Sequence, residues 1–323
     1  AAFVNLWAGL FLLAVTVSAV IPSLLYSDFK IGYTSQSFEA LQVVFFGCVL
    51  YAMLVHINPD YEWILNFMAI GLMIQLVVQL VQFMNVHGRV AGLLWNQNCA
   101  GHFAALCSIA FFRKNWCYFM PIPLTSLLYA GSAGGVLAFC LAVIVFAGFH
   151  GKLFLVGIVM MLLFIGFISF VHKPGINERF GDQRRALEWA FAVDEETGKT
   201  NHPITGCGIG NWKIFFSKLH KAKYIEHAHS IRLHNDILEG FIEVGAAFLV
   251  ALAGYVVNVF RRATKQSAVA LAGLAAIFGC SMANTFIKLN FFIAFIAILI
   301  FAMVEIDLRK QEKLSKQGER LWQ

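Results

Sequence analysis

The sequence predicts an all-α polytopic membrane bundle of about ten transmembrane helices with one long external loop. Three observations lead there. Of 323 residues, 59% are hydrophobic and only 13% charged, with mean hydropathy +0.73, whereas about a quarter of a soluble chain is charged. Apolar runs near 20 residues, long enough to cross roughly 30 Å of hydrocarbon as a helix, are present, and runs such as 136–149, 153–171 and 291–304 are almost continuously apolar. None shows the period-two alternation of a barrel strand. Backbone groups in lipid are satisfied only in helices or closed barrels, so helices remain.

Polar punctuation divides the chain, in order, into helices near 1–26, 37–57, 61–84, 99–112, 116–130, 133–149, 152–171, 235–259, 266–287 and 291–306. The first opens Ala1-Ala2-Phe3 with no basic n-region, which reads as a membrane helix rather than a cleaved signal peptide. The fourth and fifth are short, and are expected to be tilted, re-entrant or extended into a neighbouring loop.

Orientation follows from Lys and Arg in short loops, because positive charge resists translocation. With the long segment outside, Arg113, Lys114, Lys152, Arg261, Arg262 and Lys265 fall inside with Arg309, Lys310, Lys313, Lys316 and Arg320 of the tail. Only Lys30, Arg89 and Lys288 occupy the opposite short loops. Both termini are then cytoplasmic. The chain divides into N-terminal helices (1–171), an external loop (172–234), C-terminal helices (235–306) and a basic tail (307–323). That tail reads as a topology and headgroup anchor, so the net charge of +6 implies membrane lipids and no nucleic-acid partner. The seven cysteines form no CxxC pair and no disulfide framework.

The loop from 172 to 234 holds 17 of the 42 charged residues and six of the ten histidines. A loop of that length is functional or disordered. Trp189, Phe191, Trp212, Phe215, Phe216 and Tyr224 give it apolar groups to pack, which argues for order.

Three clusters within the loop carry possible chemistry. From Asp182 to Trp189 the chain can be helical, with Arg185 and Trp189 on one face at i, i+4. Guanidinium groups there suit either bidentate grip of a phosphate or simple contact with lipid headgroups. Between His202 and Trp212, the alternate glycines Gly206, Gly208 and Gly210 permit positive φ and close backbone approach, giving a tight turn. It lacks the GxGxxG spacing of a dinucleotide fold. In the third cluster Asn235 or Asp236 caps the helix that follows, and Asp236 with Glu239 has capping-box spacing. His234 then stands at the helix mouth, where the positive dipole end disfavours imidazolium and leaves the form a general base requires. Glu239 and Glu243 are expected to face the interior. His227, His229 and His234 are a poor metal set, with no HExxH helix or cysteine pair beside them.

In combination these clusters resemble the bacterial superfamily of O-antigen ligases, O-antigen polymerases and protein O-oligosaccharyltransferases. The matching pieces are Arg185-Ala-Leu-Glu-Trp189, His202-Pro-Ile-Thr-Gly206-Cys-Gly208-Ile-Gly210-Asn211 and His234-Asn235-Asp236, with Glu243-Val244-Gly245 following. Upstream, Gly92-Leu-Leu-Trp-Asn96-Gln-Asn98 resembles an Asn-rich helix entrance and Ser132-Ala133-Gly134-Gly135 a Ser-Arg-Gly element. Two departures stand out: Ala133 takes the place of an arginine found in many relatives, and about ten spans is fewer than the twelve common among ligases.

The resemblance implies a GT-C-like, metal-independent inverting glycosyltransferase needing no cofactor. It implies a glycan donor on undecaprenyl diphosphate and an acceptor hydroxyl on a lipid A-core sugar, another glycan or a protein. The site would lie on the periplasmic face of the bacterial inner membrane. His234 is the expected base and Arg185 the diphosphate clamp. Arg179, Arg184, Arg232, Arg89, Asn235 and Asp236 make up the expected substrate-binding set. The rival readings are a lipid-linked glycan transporter and a non-catalytic assembly partner.

Overall fold

A computed structural model describes residues 10–11, 13–17, 32–86, 89–113, 115–151, 189, 206–210, 212, 234–283 and 291–320. Among them the regular structure is helical, with no strand. The α-helices are α1 (Gly32–Ile57), α2 (Tyr61–Val86), α3 (Gln97–Cys107), α4 (Pro121–Ala130), α5 (Ala133–His150), α6 (Asp236–Val244), α7 (Ala246–Arg262), α8 (Ala268–Ala283) and α9 (Phe291–Arg320). Four stretches among the described residues are long and apolar enough to cross a membrane: Glu39–Ile57, Tyr61–Asn85, Ala133–His150 and Lys265–Met282.

Several expected spans differ in detail. The fourth consists of α3 and a 3-10 segment, Ser108–Phe112. The fifth consists of a 3-10 turn, Cys117–Phe119, and α4. The span expected over 235–259 is two helices, because Gly245 at φ 79°, ψ −165° takes a conformation that residues with a Cβ avoid. The last helix does not stop near 306. It continues to Arg320 because the tail is rich in helix formers, and Arg309 bonds Glu305 one turn back at 2.5 Å. The span expected over 152–171 lies outside the described residues, as does most of that over 1–26.

The chain forms two compact units, each from two stretches. Unit 1 comprises 1–50 and 182–261; unit 2 comprises 51–181 and 262–323.

Within unit 2, α2 is apolar on both sides. Ile64, Leu65, Met68, Ala69 and Leu72 are fully buried. Trp63, Phe67, Ile70, Ile74, Val77, Val81 and Met84, spaced alternately by four and three, are 44–67% exposed. At 1.5 Å per residue that outer stripe is roughly 31 Å long, about the thickness of a hydrocarbon core. An exposed apolar band of this length suits lipid rather than water.

The buried side of α2 carries Gln75, Gln79 and Gln82, which serve the irregular backbone between Arg89 and Trp95. Gln75 donates to Ala91 O (2.9 Å) and accepts from Leu93 N (2.9 Å). Gln82 donates to Gly92 O (2.9 Å) and accepts from Gly92 N (2.8 Å). Gln79 donates to Val90 O (3.4 Å) and Ser126 O (3.3 Å), and accepts from the Ser126 hydroxyl (2.6 Å). Gly92 is required here: its φ is +61°, and a Cβ would lie 2.2 Å from Gln75 Nε2. Gln79 and Gln75 lie roughly 10 and 16 Å short of the end of α2, so this segment runs back alongside α2 before α3 begins.

Close crossings hold the remaining helices. A Cβ on Gly101 of α3 would lie 2.3 Å from Ser132 Cβ, and one on Gly135 of α5 would lie 2.6 Å from Gly101 C. On α8, a Cβ at Gly279 would meet Ala138 Cα at 2.6 Å. Small residues bring backbones together where apolar burial gives little drive between helices in lipid.

Ion pairs gather where α2 begins. Arg113 pairs with Glu62, donates to Asn66 (2.9 Å) and lies 4.6 Å over the Trp116 ring. Arg262 bonds both Glu305 (3.3 Å) and Glu312 (2.7 Å). Loops expected on one side of a membrane are thus joined at one end of unit 2.

Replacing Gln79 by Leu removes the partners of Val90 O and the Ser126 hydroxyl within a buried setting. An unsatisfied buried polar group costs about 1–3 kcal/mol, so the variant is expected to melt well below wild type in detergent, by differential scanning fluorimetry. An unchanged melting temperature would contradict the role given to this glutamine.

Candidate functional site

The site of interest lies in unit 1, where α6 begins and ends on residues singled out by the sequence. Asn235 is the N-cap: at φ −153°, ψ 103° its side chain accepts from Leu238 N at 3.0 Å. Asp236 is therefore the first helical residue, and the Asp236–Glu239 capping-box spacing is not used as a box. His234 precedes the cap, partly exposed, with φ +53°. A left-handed backbone is uncommon for a residue with a Cβ, although His, Asn and Asp adopt it more often than most.

Unit 2 repeats this arrangement. Trp95, at φ +61°, precedes Asn96, which caps α3 by accepting from Asn98 N (2.8 Å) and Cys99 N (3.4 Å). Both helix entrances noted in the sequence thus share one geometry, a left-handed aromatic residue followed by an extended asparagine cap.

Where α6 ends, Gly245 stops the helix and its N–H bonds Phe241 O at 2.7 Å. A continuous helix would give the carbonyls of Ile242 and Glu243 to residues 246 and 247. Here Cys207 N donates to Ile242 O and Gly208 N to Glu243 O, each at 2.9 Å. The glycine turn therefore supplies the partners that the broken helix needs.

Gly206, Gly208 and Gly210 all have positive φ, at +69°, +94° and +78°. A Cβ on Gly206 would lie 2.3 Å from Glu243 O. Both properties expected of the alternate glycines are present.

Glu239 and Glu243 are buried, at 0% and 1% exposure. Glu243 Oε1 accepts from Trp212 N at 3.3 Å, so this carboxylate fastens the far side of the turn to α6. In the same unit, Val15, Ile209 and Val244 form a small core with Phe11, Ala14, Ala40, Leu41, Val44 and Phe248. Phe248 also packs on Gly240, where a Cβ would come within 2.8 Å of its ring.

The arginines are a different matter. Arg179, Arg184, Arg185 and Arg232 lie outside the described residues, as do His227 and His229. Trp189, of the same cluster, is helical and partly buried. Arg89 belongs to unit 2. Its Nε donates to Ala130 O (3.2 Å) and its carbonyl accepts from Gln97 Nε2 (2.9 Å). It lines a cavity of about 310 Å³ with Ala91, Trp95, Asn96, Gln97 and Asn98. The helix that follows the first upstream match crosses the second, since Gly101 of α3 lies against Ser132, and Ser132 caps α5 through Gly135 N at 3.2 Å. Ala133 is the first residue of that helix.

Sequence reading missed the docking of the turn onto α6. Its only trace in the sequence is Gly245 beside Glu243, where the apolar run continues past the glycine. Among the described residues no group of three His, Cys, Asp or Glu is placed to hold a metal ion. No protein-family model matches this chain, and no curated protein matches it either.

Gly206→Ala puts a Cβ into Glu243 O and strains a positive φ, whereas Gly151→Ala strains a similar φ of +65° with nothing within 4 Å of the new Cβ. The first is expected to lose clearly more thermal stability than the second. Asn235→Ala is expected to cost about 1 kcal/mol, and Asn235→Asp much less. Unfolding midpoints of the purified variants test these rankings, and a Gly206→Ala protein as stable as wild type would exclude the close approach.

Proposed function

We propose that the chain is an O-antigen ligase-like glycosyltransferase, moving a glycan from undecaprenyl diphosphate to an acceptor hydroxyl at the periplasmic face of the inner membrane. Its frame is a GT-C-like bundle of about ten spans. One observation carries the reading: the glycine turn docks on the end of α6, the same helix that the His-Asn-Asp entrance opens, although the two motifs lie far apart in the loop sequence. Two of the three loop motifs behind the resemblance are thus parts of one structure.

The chemistry asked of these residues is limited. A diphosphate is a good leaving group, so the protein has to bind it, stabilise the charge that develops on it and deprotonate the acceptor. His234 takes the acceptor proton as the acceptor oxygen bonds to the anomeric carbon and the bond to the diphosphate oxygen breaks. Arg185, with Arg184, Arg179 or Arg232, holds the diphosphate in a bidentate grip. Attack opposite the leaving group inverts the anomeric centre. Asn235 and Asp236 fix the histidine at the helix mouth. A lipid A-core sugar is the preferred acceptor; a second lipid-linked glycan or a protein hydroxyl would make the enzyme a polymerase or an oligosaccharyltransferase.

A transporter reading has its own support in the irregular segment 89–95 and the short helix α3 that follows it. Arg89 stands beside the N-terminus of a half-length helix, an arrangement that transporters use to bind anionic groups. The two readings part on whether a bond is broken.

Purified protein is incubated with a lipid-diphosphate glycan and candidate acceptors, and release of polyprenyl diphosphate is followed. Release by wild type that disappears in His234→Ala, with unchanged expression and melting, is the expected result. No release with any acceptor removes the enzyme reading, and an active His234→Ala removes the base. Arg185→Lys is expected to lose at least about tenfold in rate, because an ammonium cannot reproduce the guanidinium fork. Wild-type rates with lysine would make the clamp assignment wrong.

A further inference from the structure

We propose that unit 2 carries a binding site for one anionic phospholipid, between the turn joining α1 to α2 and the basic extension of α9. A cavity of about 500 Å³ lies there, lined by Val55, His56, Asn58, Pro59, Asp60, Tyr61, Ile306, Arg309, Lys310 and Lys313. Its volume falls in the range of roughly 300–1,000 Å³ typical of sites for small organic ligands.

The lining changes character along α9. Ile306, Arg309, Lys310 and Lys313 are spaced i, i+3, i+4 and i+7, so they share one helix face. The apolar end is closed by Ile306, buried against the same cavity as buried Val55. One turn further the face becomes cationic. A free phosphate uses only the second part. A phospholipid uses both, with acyl carbons beside Val55 and Ile306 and the phosphodiester among the cations.

The cations are not equally available. Arg309 is held by Glu305 at 2.5 Å, and Glu305 also takes Arg262. Lys310 and Lys313 are exposed and have no ion-pair partner among the described residues. Asp60 is the one acid in the lining; its Oδ1 accepts from Glu62 N at 3.1 Å, where it serves the start of α2. Two uncommitted lysines and a histidine over an apolar floor complement a headgroup with net negative charge. Basic recesses between membrane helices hold anionic lipids in this way. Because every wall belongs to one unit, the site does not depend on the loop chemistry proposed above.

The test is native mass spectrometry of the full chain in detergent, titrated with phosphatidylglycerol or phosphatidylethanolamine of equal acyl length. Wild type is expected to retain one phosphatidylglycerol at least about tenfold more tightly than phosphatidylethanolamine. Lys310→Glu with Lys313→Glu is expected to lose that preference by roughly tenfold or more. Arg261→Glu, an exposed cation outside the cavity, should keep it. Millimolar inorganic phosphate should not displace the lipid. Equal retention of the two lipids, an equal loss in Arg261→Glu, or displacement by inorganic phosphate would each overturn the site. The first and last measurements need only wild-type protein, so they hold even if the double variant fails to fold.

Discussion

Backbone polar groups that leave a helix inside an apolar surrounding must find partners, and this constraint governs both breaks in the described structure. Gln75, Gln79 and Gln82 meet it for the segment before α3. They project from one face of α2 at i, i+4 and i+7 and bond the carbonyls and amides of Val90 to Leu93. With those groups satisfied, the chain can start α3 partway along its neighbour. That in turn places Arg89 and the Asn96 cap around a recess rather than at a simple loop tip.

The second break uses a different donor. At Gly245 the partners come from backbone amides of the glycine turn, and three positive φ angles bring those amides close enough. Side-chain amides can reach across from a continuous helix, whereas a turn must bring its own main chain to within van der Waals contact. This is why the first break needs glutamine and a single glycine, and the second a series of glycines. Helix α6 is short as a result, with its entrance and its exit both fixed by residues that the sequence had marked for chemistry.

Much of this was legible in the sequence, for identifiable reasons. The ranges 37–57, 61–84 and 133–149 were readable because a long apolar run with polar ends is itself the physical requirement for a crossing. Asn235, Gly206, Gly208 and Gly210 were readable because caps and positive φ select few residue types. The break at Gly245 was hidden, since apolar residues continue on both sides and hydropathy does not register a backbone angle. The glutamine series was hidden too: three amides within an apolar helix identify no partner until the chain returns. The helical tail is hidden because its Lys, Arg and Glu residues serve topology and helix propensity equally, and hydropathy falls where the helix continues. The basic residues joined to Glu305 were placed on the same side, but their mutual pairing depends on tertiary structure.

Helix α9 runs without interruption from Phe291 to Arg320, roughly 45 Å at 1.5 Å per residue. Its apolar half is packed in unit 2, with Ile293, Ile296, Ile300 and Met303 almost fully buried. Arg262 grips it at Glu305 and again at Glu312, and Thr264 holds it at Gln311. A rod held at successive points keeps one heading, so the contacts that seat its apolar half also set the direction in which the basic half leaves unit 2.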